Sequence, residues 1–362
     1  MKRKLIVLYG GKSAEHEVSI STAFSVIQAL DFDKYEVNPI YIQKDGTWIK
    51  RDALKEPVKS IHELRLEAHQ QASHALQITA GLVGHVEQDK EEELPIIFPL
   101  LHGPNGEDGT VQGFLEVLNL PYVGNGVLAS AAGMDKVVMK DLFAHAGLNQ
   151  VRYISFTRHE WEKNQEAAYA KTEKEIGYPC FVKPANLGSS VGINKCKNRE
   201  DLEAAFNEAF QYDLKIIVEE GVDAREIELA ILGNNDPQCS VPGEIVPKTE
   251  FYDYHSKYED ESTTLIIPAD IPEETYETMK EMALTAFKAL NCSGLVRADF
   301  FLKKNGEVLI NEINTMPGFT PVSMYPLLWQ HTGISYPELI DRLIELGLER
   351  YRERQSLRFT YK

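Results

Sequence analysis

The chain is poor in clustered cysteine, in positive charge and in long apolar runs, and each shortage excludes something. Its four cysteines, Cys180, Cys196, Cys239 and Cys292, are widely spaced and form no CxxC or metal-ligand pattern. Reduced thiols of a cytosolic protein are the expectation. Lys and Arg number 38 against 55 Asp and Glu, a formal net charge of −17. Phosphate backbones and anionic lipid both require basic surfaces, so neither nucleic acid nor a membrane surface is expected as a partner. No apolar run is long enough to span a bilayer. The basic start at residues 1–9 ends at Gly10-Gly11 with no cleavage site beyond, which predicts a first buried strand rather than a signal peptide. Internal repeats and low-complexity tracts are also missing.

What is present is a chain of 362 residues, enough for two or three domains. Apolar runs at Leu5–Tyr9, Val37–Ile42 and Pro95–Leu101 read as strands. Val18, Phe24, Ile27 and Leu30 between them have helical spacing, so a parallel sheet with packed helices is expected. Residues 50–93 are polar and weakly periodic and read as a surface excursion. A boundary is expected near 125–133, before a helix carrying Met134, Val138, Leu142 and Ala146 and stopped by Gly147. Strands at Tyr153–Phe156, Cys180–Lys183 and Gly192–Cys196 flank helices in a small α+β unit. Ile216–Glu219 and Glu226–Leu232 follow, and Leu339, Ile340, Leu343, Ile344 and Leu348 mark a closing helix.

Residues 295–303 and 307–314 read as a hairpin around Asn305-Gly306. With a two-residue turn, paired positions sum to 611, so Asp299 faces Glu312 and Arg297 faces Asn314. Alternation puts all four side chains on one face. Two carboxylates, an amide and a guanidinium among buried Leu, Val, Ile and Phe are costly for a scaffold and suit a hard cation holding phosphates.

Other segments supply partners for that hairpin. Gly10-Gly11-Lys12-Ser13 lacks the earlier glycine of a phosphate loop, because position 6 is Ile. The carboxylate of Glu15 at this turn reads either as a holder of a substrate ammonium or as part of a helix start. The loop from His102 to Gly109 follows an apolar strand, the usual ligand position in an open α/β sheet. Lys183, ending a strand before Gly188-Ser189-Ser190, can neutralise phosphate that the loop N–H groups cradle. Glu219 and Glu226 lie where an adenine edge and a ribose would be met. The aromatic stretch from Phe251 to Tyr258 reads as a lid loop.

The stretches GGKSAEHEVS (10–19), HGPNGEDGTVQG (102–113), MDK (134–136), VKPANLGSSVG (182–192), EEGV (219–222), FYDYHSKY (251–258) and RADFF…NEINTMPGFTPVS (297–323) closely resemble the D-alanine–D-alanine ligases of the ATP-grasp superfamily, nearly end to end. The resemblance implies an ATP-grasp fold of the multidomain α/β and α+β class. Its units would be an N-terminal parallel α/β substrate domain at 1–127, a central subdomain with the glycine-rich loop at 128–213, and a C-terminal subdomain with metal site and lid at 214–362. It further implies a cytoplasmic homodimer that joins two D-alanine molecules for peptidoglycan precursors, with ATP giving an acyl phosphate and then ADP and phosphate.

By matched motif, Lys136, Lys183 and Ser190 would hold the ATP phosphates. Glu219, Glu220, Val222 and Glu226 would hold the nucleoside, with Phe251 and Lys257 beside it. Asp299, Glu312 and Asn314 would carry two Mg²⁺ or Mn²⁺ ions. Glu15 would anchor the first substrate's ammonium and orient Ser189 with Tyr258. Arg297 and the Gly318 N–H would stabilise the tetrahedral oxyanion, and Ser323 would bind the second substrate's carboxylate. Relatives that make D-alanyl-D-lactate carry His where this chain has Tyr258, which favours the peptide product. A nucleotide switch built on Gly10–Ser13 and a non-catalytic binding module are the readings from other classes.

Overall fold

A computed structural model of the chain describes residues 2–66, 72–73, 94–188, 191–246 and 264–358. Three sheets organise them. The first comprises β1 (Arg3–Gly10), β2 (Tyr35–Ile42), β3 (Trp48–Lys50), β4 (Ala72–Ser73) and β5 (Ile96–Leu100), in the order β4-β3-β2-β1-β5. β1 pairs in parallel with both β2 and β5, and α1 (His16–Ala29) packs on it. Leu5 through Tyr9 are all buried, as a parallel strand covered on both faces requires. The expected parallel sheet is formed by β2, β1 and β5, and β3 and β4 extend it antiparallel at one edge. Only the short Gln43–Thr47 turn separates β2 from β3, and so short a link can only reverse the chain. Because β2 and β5 lie on opposite sides of β1, the strand order switches direction there. The loops after β1 and β5 open into one crevice, the usual ligand position in such sheets.

After α2 (Thr110–Val117), the single helix expected across Met134 and Leu142 is two, α3 (Val127–Met134) and α4 (Lys136–His145). Asp135 between them is extended and accepts from the Val137 and Val138 N–H groups. Its carboxylate thus takes two donors that open the second helix, which is why the chain restarts there. Gly147 ends α4 at φ +77°, as expected.

The second sheet runs β6 (Tyr153–Thr157), β9 (Lys215–Glu220), β7 (Cys180–Pro184), β8 (Asn194–Cys196), antiparallel throughout. The helices α5 (Arg158–Lys163), α6 (Gln165–Glu175) and α7 (Arg199–Tyr212) bury Trp161, Tyr169, Phe206 and Phe210 against it. The expected division at 213/214 falls just before β9, which pairs inside this sheet with β6 and β7.

The third sheet places β10 (Ala224–Gly233), flanked by β11 (Gln238–Cys239) and β12 (Gly243–Val246), against β14 (Gly294–Lys303), then β15 (Val308–Asn314); β13 (Thr264–Ile266) lies beyond β12. α8 (Glu273–Ala289) covers one face through Met279, Ala283 and Phe287. The two last helices, α9 (Met324–Thr332) and α10 (Tyr336–Gln355), join Leu232 and Leu295 to the core of the first sheet. Asn125 fastens that junction: its Nδ2 donates to Leu295 O at 2.7 Å and Thr315 O at 2.8 Å, and its Oδ1 accepts from Ser293 N at 2.9 Å.

The hairpin β14–β15 meets the expected pairing by an unexpected route. Lys303 N–H donates to Glu307 O and Gly306 N–H to Lys303 O, with Gly306 at φ +86°. The tip is therefore a three-residue loop closed by a left-handed glycine rather than a two-residue turn. Pairs near it sum to 610: Leu302 with Val308, Phe301 with Leu309, Phe300 with Ile310. A bulge at Asn311 then adds one residue, and Asp299 faces Glu312 while Arg297 faces Asn314.

Candidate active site

Register across three strands builds the polar floor. Glu228 of β10 faces Asp299 of β14, which faces Glu312 of β15; Ala230, Arg297 and Asn314 form the next row. Directly opposed residues share a face, so the three carboxylates, Arg297 and Asn314 project together. Arg297 forks onto Asp299, with both bonds 2.7 Å, and its Nε lies 3.0 Å from Glu228 Oε2. Asn314 Nδ2 donates to Asp299 Oδ2 at 2.9 Å. Burial works against the Arg297 charge, yet Asp299, Glu228 and Glu312 hold its pKa well above the usual arginine value.

A second charged group is built on the sheet of β7 and β9. Lys183 and Glu219 are diagonal neighbours across those strands, and their side chains form an ion pair at 2.5 Å. Lys140 of α4 takes the other Glu219 oxygen at 2.9 Å. Burial alone would raise the Glu219 carboxyl, but the two ammonium groups bring it down to about 2. Burial likewise opposes the Lys183 charge, while Glu219, Glu312 and Glu226 together raise its pKa. Lys140, bonded both to Glu219 of β9 and to the Asn311 carbonyl of β15, ties this sheet to the one that carries the floor. Lys136 Nζ donates to Leu187 O at 2.7 Å, under the glycine-rich loop.

The loops of the first sheet close the site from the other side. Glu15 is buried. A Cβ on Gly103 would stand 2.7 Å from its Oε2, and one on Gly188 3.2 Å. Three stretches singled out by sequence, around residues 15, 103 and 188, therefore converge on the Glu15 carboxylate. Behind it, buried His102 meets Thr22 Oγ1 at 3.2 Å and Glu107 Oε1 at 3.4 Å. Burial disfavours a charged His102, but Glu107 and then Glu15 raise its pKa.

The remaining expected residues are dispersed. Glu220 turns to Arg152, accepting from its N–H and Nε at 2.9 and 2.7 Å. Val222 lies half-buried between β9 and β10. Ser323 precedes α9 and accepts from Thr320 N at 3.1 Å, and a Cβ on Gly318 would stand 3.2 Å from its Oγ. Ser189, Ser190, Phe251, Lys257 and Tyr258 lie outside the described residues. Sequence reasoning missed Lys140 and Glu228. Each has a signal in hindsight, since Lys140 is one helical turn beyond Lys136 and Glu228 is one pleat beyond Glu226.

Family models described as D-ala D-ala ligase N-terminus and C-terminus match residues 4–125 and 142–345. The chain belongs to the D-alanine–D-alanine ligase family. A D-alanine–D-alanine ligase of Bacillus cytotoxicus is 61% identical over 359 residues, covering 99% of each chain. That of Geobacillus kaustophilus is 60% identical over 365 residues, covering 100% of this chain and 99% of its own. Among solved structures, the D-alanine–D-alanine ligase of Coxiella burnetii superposes with a TM-score of 0.81 at 35% identity, over 98% of this chain and 96% of that one. The VanG D-Ala:D-Ser ligase of Enterococcus faecalis gives 0.83 at 35% identity, over 96% and 100%. The chain has the multidomain ATP-grasp architecture of this ligase family.

The donor chemistry of the floor fits a hard divalent cation. Among the described residues no three His, Cys, Asp or Glu side chains form a group that could hold a metal by themselves. Asp299, Glu312 and Asn314 instead offer two carboxylates and an amide on one face. Mg²⁺ favours such a sparse set of oxygens completed by water and phosphate.

Proposed function

We propose that this chain joins two D-alanines into D-alanyl-D-alanine, with ATP giving an acyl phosphate and then ADP and phosphate, for peptidoglycan precursors. The observation that carries the reading is the shared face of Arg297, Asp299, Glu312 and Asn314, in a chain matched end to end by ligases of this family. A carboxylate is a poor electrophile, and phosphorylation turns one oxygen into a leaving group. That step demands charge neutralisation rather than a protein nucleophile. Lys136, Lys183 and Ser190 hold the phosphates, while Glu219, Val222 and Glu226 hold the nucleoside, with Glu220, Phe251 and Lys257 at its edge. Asp299, Glu312 and Asn314 would hold two Mg²⁺ or Mn²⁺ ions, which supply further charge neutralisation at the transferred phosphoryl group. Glu15, in the crevice after β1, holds the first ammonium, with Ser189 and Tyr258 beside it. Arg297 and the Gly318 N–H meet the developing oxyanion, and Ser323 meets the second carboxylate. The acyl phosphate has to be kept from water, the part this reading gives to residues 251–258, which lie outside the described residues.

The expected result is ADP release with D-alanine and none with L-alanine, the product mass being that of the dipeptide. Offering D-serine and D-lactate alongside D-alanine discriminates the mixed products; a dominant ester or D-Ser product would replace the specificity part of the proposal. A cytoplasmic homodimer is part of the same reading, and sedimentation at micromolar protein tests it. Among the described residues no helix is long and apolar enough to cross a membrane.

Gly103→Ala is expected to act at the first-substrate end. The φ of +75° is strained for alanine, about 1–2 kcal/mol, and the added Cβ would meet Ser13 Oγ at 2.5 Å as well as Glu15. The KM for D-alanine at the first site should rise while the KM for ATP stays. Steady-state kinetics decide it, and an unchanged D-alanine KM would remove Glu15 from the ammonium site.

A further inference from the structure

Lys140 is an unexpected buried charge. Its side chain is 1% exposed, and burying an ammonium is costly unless it is paired. It stands four residues after Lys136, so both project from one face of α4. Its Nζ is shared between two elements: it lies 2.9 Å from Glu219 Oε1 on β9 and donates at 3.3 Å to the carbonyl of Asn311 on β15. Asn311 is the bulge residue that restores the pairing of Asp299 with Glu312. Three further bonds hold the same junction. Gln150 Nε2 donates to Lys140 O at 2.8 Å, Ile310 N–H to Asn149 O at 2.9 Å, and Ile313 N–H to Met139 Sδ at 3.3 Å.

A bulge re-aims the side chains that follow it. Here those are Glu312 and Asn314. If Lys140 served only to fill space, a neutral side chain of its length would do so at lower cost. An ammonium bridging a carboxylate of one sheet and the bulge carbonyl of another is what a mechanical link between them requires.

We propose that Lys140 is a positioning residue that pins the Asn311 bulge to Glu219, so that the nucleoside side of the site sets how Glu312 and Asn314 are presented at the phosphate end. The inference rests on the proposed roles of Asp299, Glu312 and Asn314 as metal donors. Lys140 acts through Glu219 and the Asn311 carbonyl, and on this account it does not meet the reacting atoms.

The test is Mn²⁺ titrated into the full chain with ADP present, free ion counted by electron paramagnetic resonance. Lys140→Met should weaken Mn²⁺ binding about 10- to 100-fold, the usual cost of losing an outer partner of a metal ligand. Lys140→Arg, which keeps a cation, should recover part of it. Leu343→Ala, cut from the buried face of α10, should lower Tm while leaving Mn²⁺ affinity unchanged, which separates positioning from general loosening. Unchanged Mn²⁺ affinity in Lys140→Met, or the same loss in Leu343→Ala, would overturn the inference alone. If the wild-type chain with ADP takes up no Mn²⁺, the metal reading of the hairpin fails and the role of Lys140 falls with it.

Discussion

Arg297→Met should turn over about 100- to 1000-fold more slowly, the usual cost of one oxyanion donor. The loss should fall on kcat, with the KM for ATP and D-alanine little changed, because the interaction is made only in the transition state. The same substitution should also destabilise the fold. Glu228 and Asp299 face each other across β10 and β14, and Arg297 is the guanidinium they share. Removing one partner of a buried ionic group costs about 3–5 kcal/mol. Calorimetry and ADP release, run on the same preparation, separate the two effects. If kcat per folded molecule survives, Arg297 is a structural counter-ion and the oxyanion needs another donor. Arg297→Lys keeps the charge but loses the fork onto Asp299, and should fall between the two.

Acid should expose the second large term, the Glu219 ion triad. In the folded chain the Glu219 carboxyl titrates at about 2, below its ordinary value of 4.5. The unfolded chain therefore binds that proton more tightly. The stabilisation is fully present above pH 4.5 and is lost as pH falls towards 2. Its size is on the order of 3 kcal/mol. Glu219→Gln should be less stable at neutral pH, since Lys140 and Lys183 lose their shared carboxylate, and its stability should fall less steeply below pH 4.5. Denaturant titrations at neutral pH and at several acid values compare the two slopes. Parallel curves would show that the triad does not carry the acid sensitivity.

Strand alternation made the face of Arg297, Asp299, Glu312 and Asn314 legible, because the pleat assigns faces without knowledge of any partner. The register was a different matter. Asn305-Gly306 is compatible with a two-residue turn and with a three-residue loop ending in a left-handed glycine. The latter shifts every pair by one, and the bulge at Asn311 shifts them back. Nothing in Ile310-Asn311-Glu312 announces a bulge; the Lys140 and Asn149 contacts that accompany it come from elements more than a hundred residues away. Glu228 stayed hidden for a related reason. In Glu226-Ile227-Glu228 the alternation reads as a solvated strand face, and only the arrival of β14 and β15 turns that face inward. The helix across Met134 was misread because apolar spacing continues through Asp135, while the cap that splits it is a local side-chain bond. The β1, β2 and β5 strands and the core face of α10 needed no such information, since their apolar runs are long and their periods clean.

The Asn311 bulge has a consequence for where this chain can be lengthened. Between it and the tip lie only Glu307, Val308, Leu309 and Ile310 against their partners, while Lys140, Asn149 and Met139 clamp the strand at and around the bulge. The register at Asp299 and Glu312 is thus referenced to α4 and not to the turn. A loop grafted between Asn305 and Gly306, where the tip is exposed and a Cβ on Gly306 meets nothing within 4 Å, would be isolated from the chemistry by that clamp. Lys304–Gly306 is accordingly the point at which a peptide tag or reporter domain could be carried without touching catalysis.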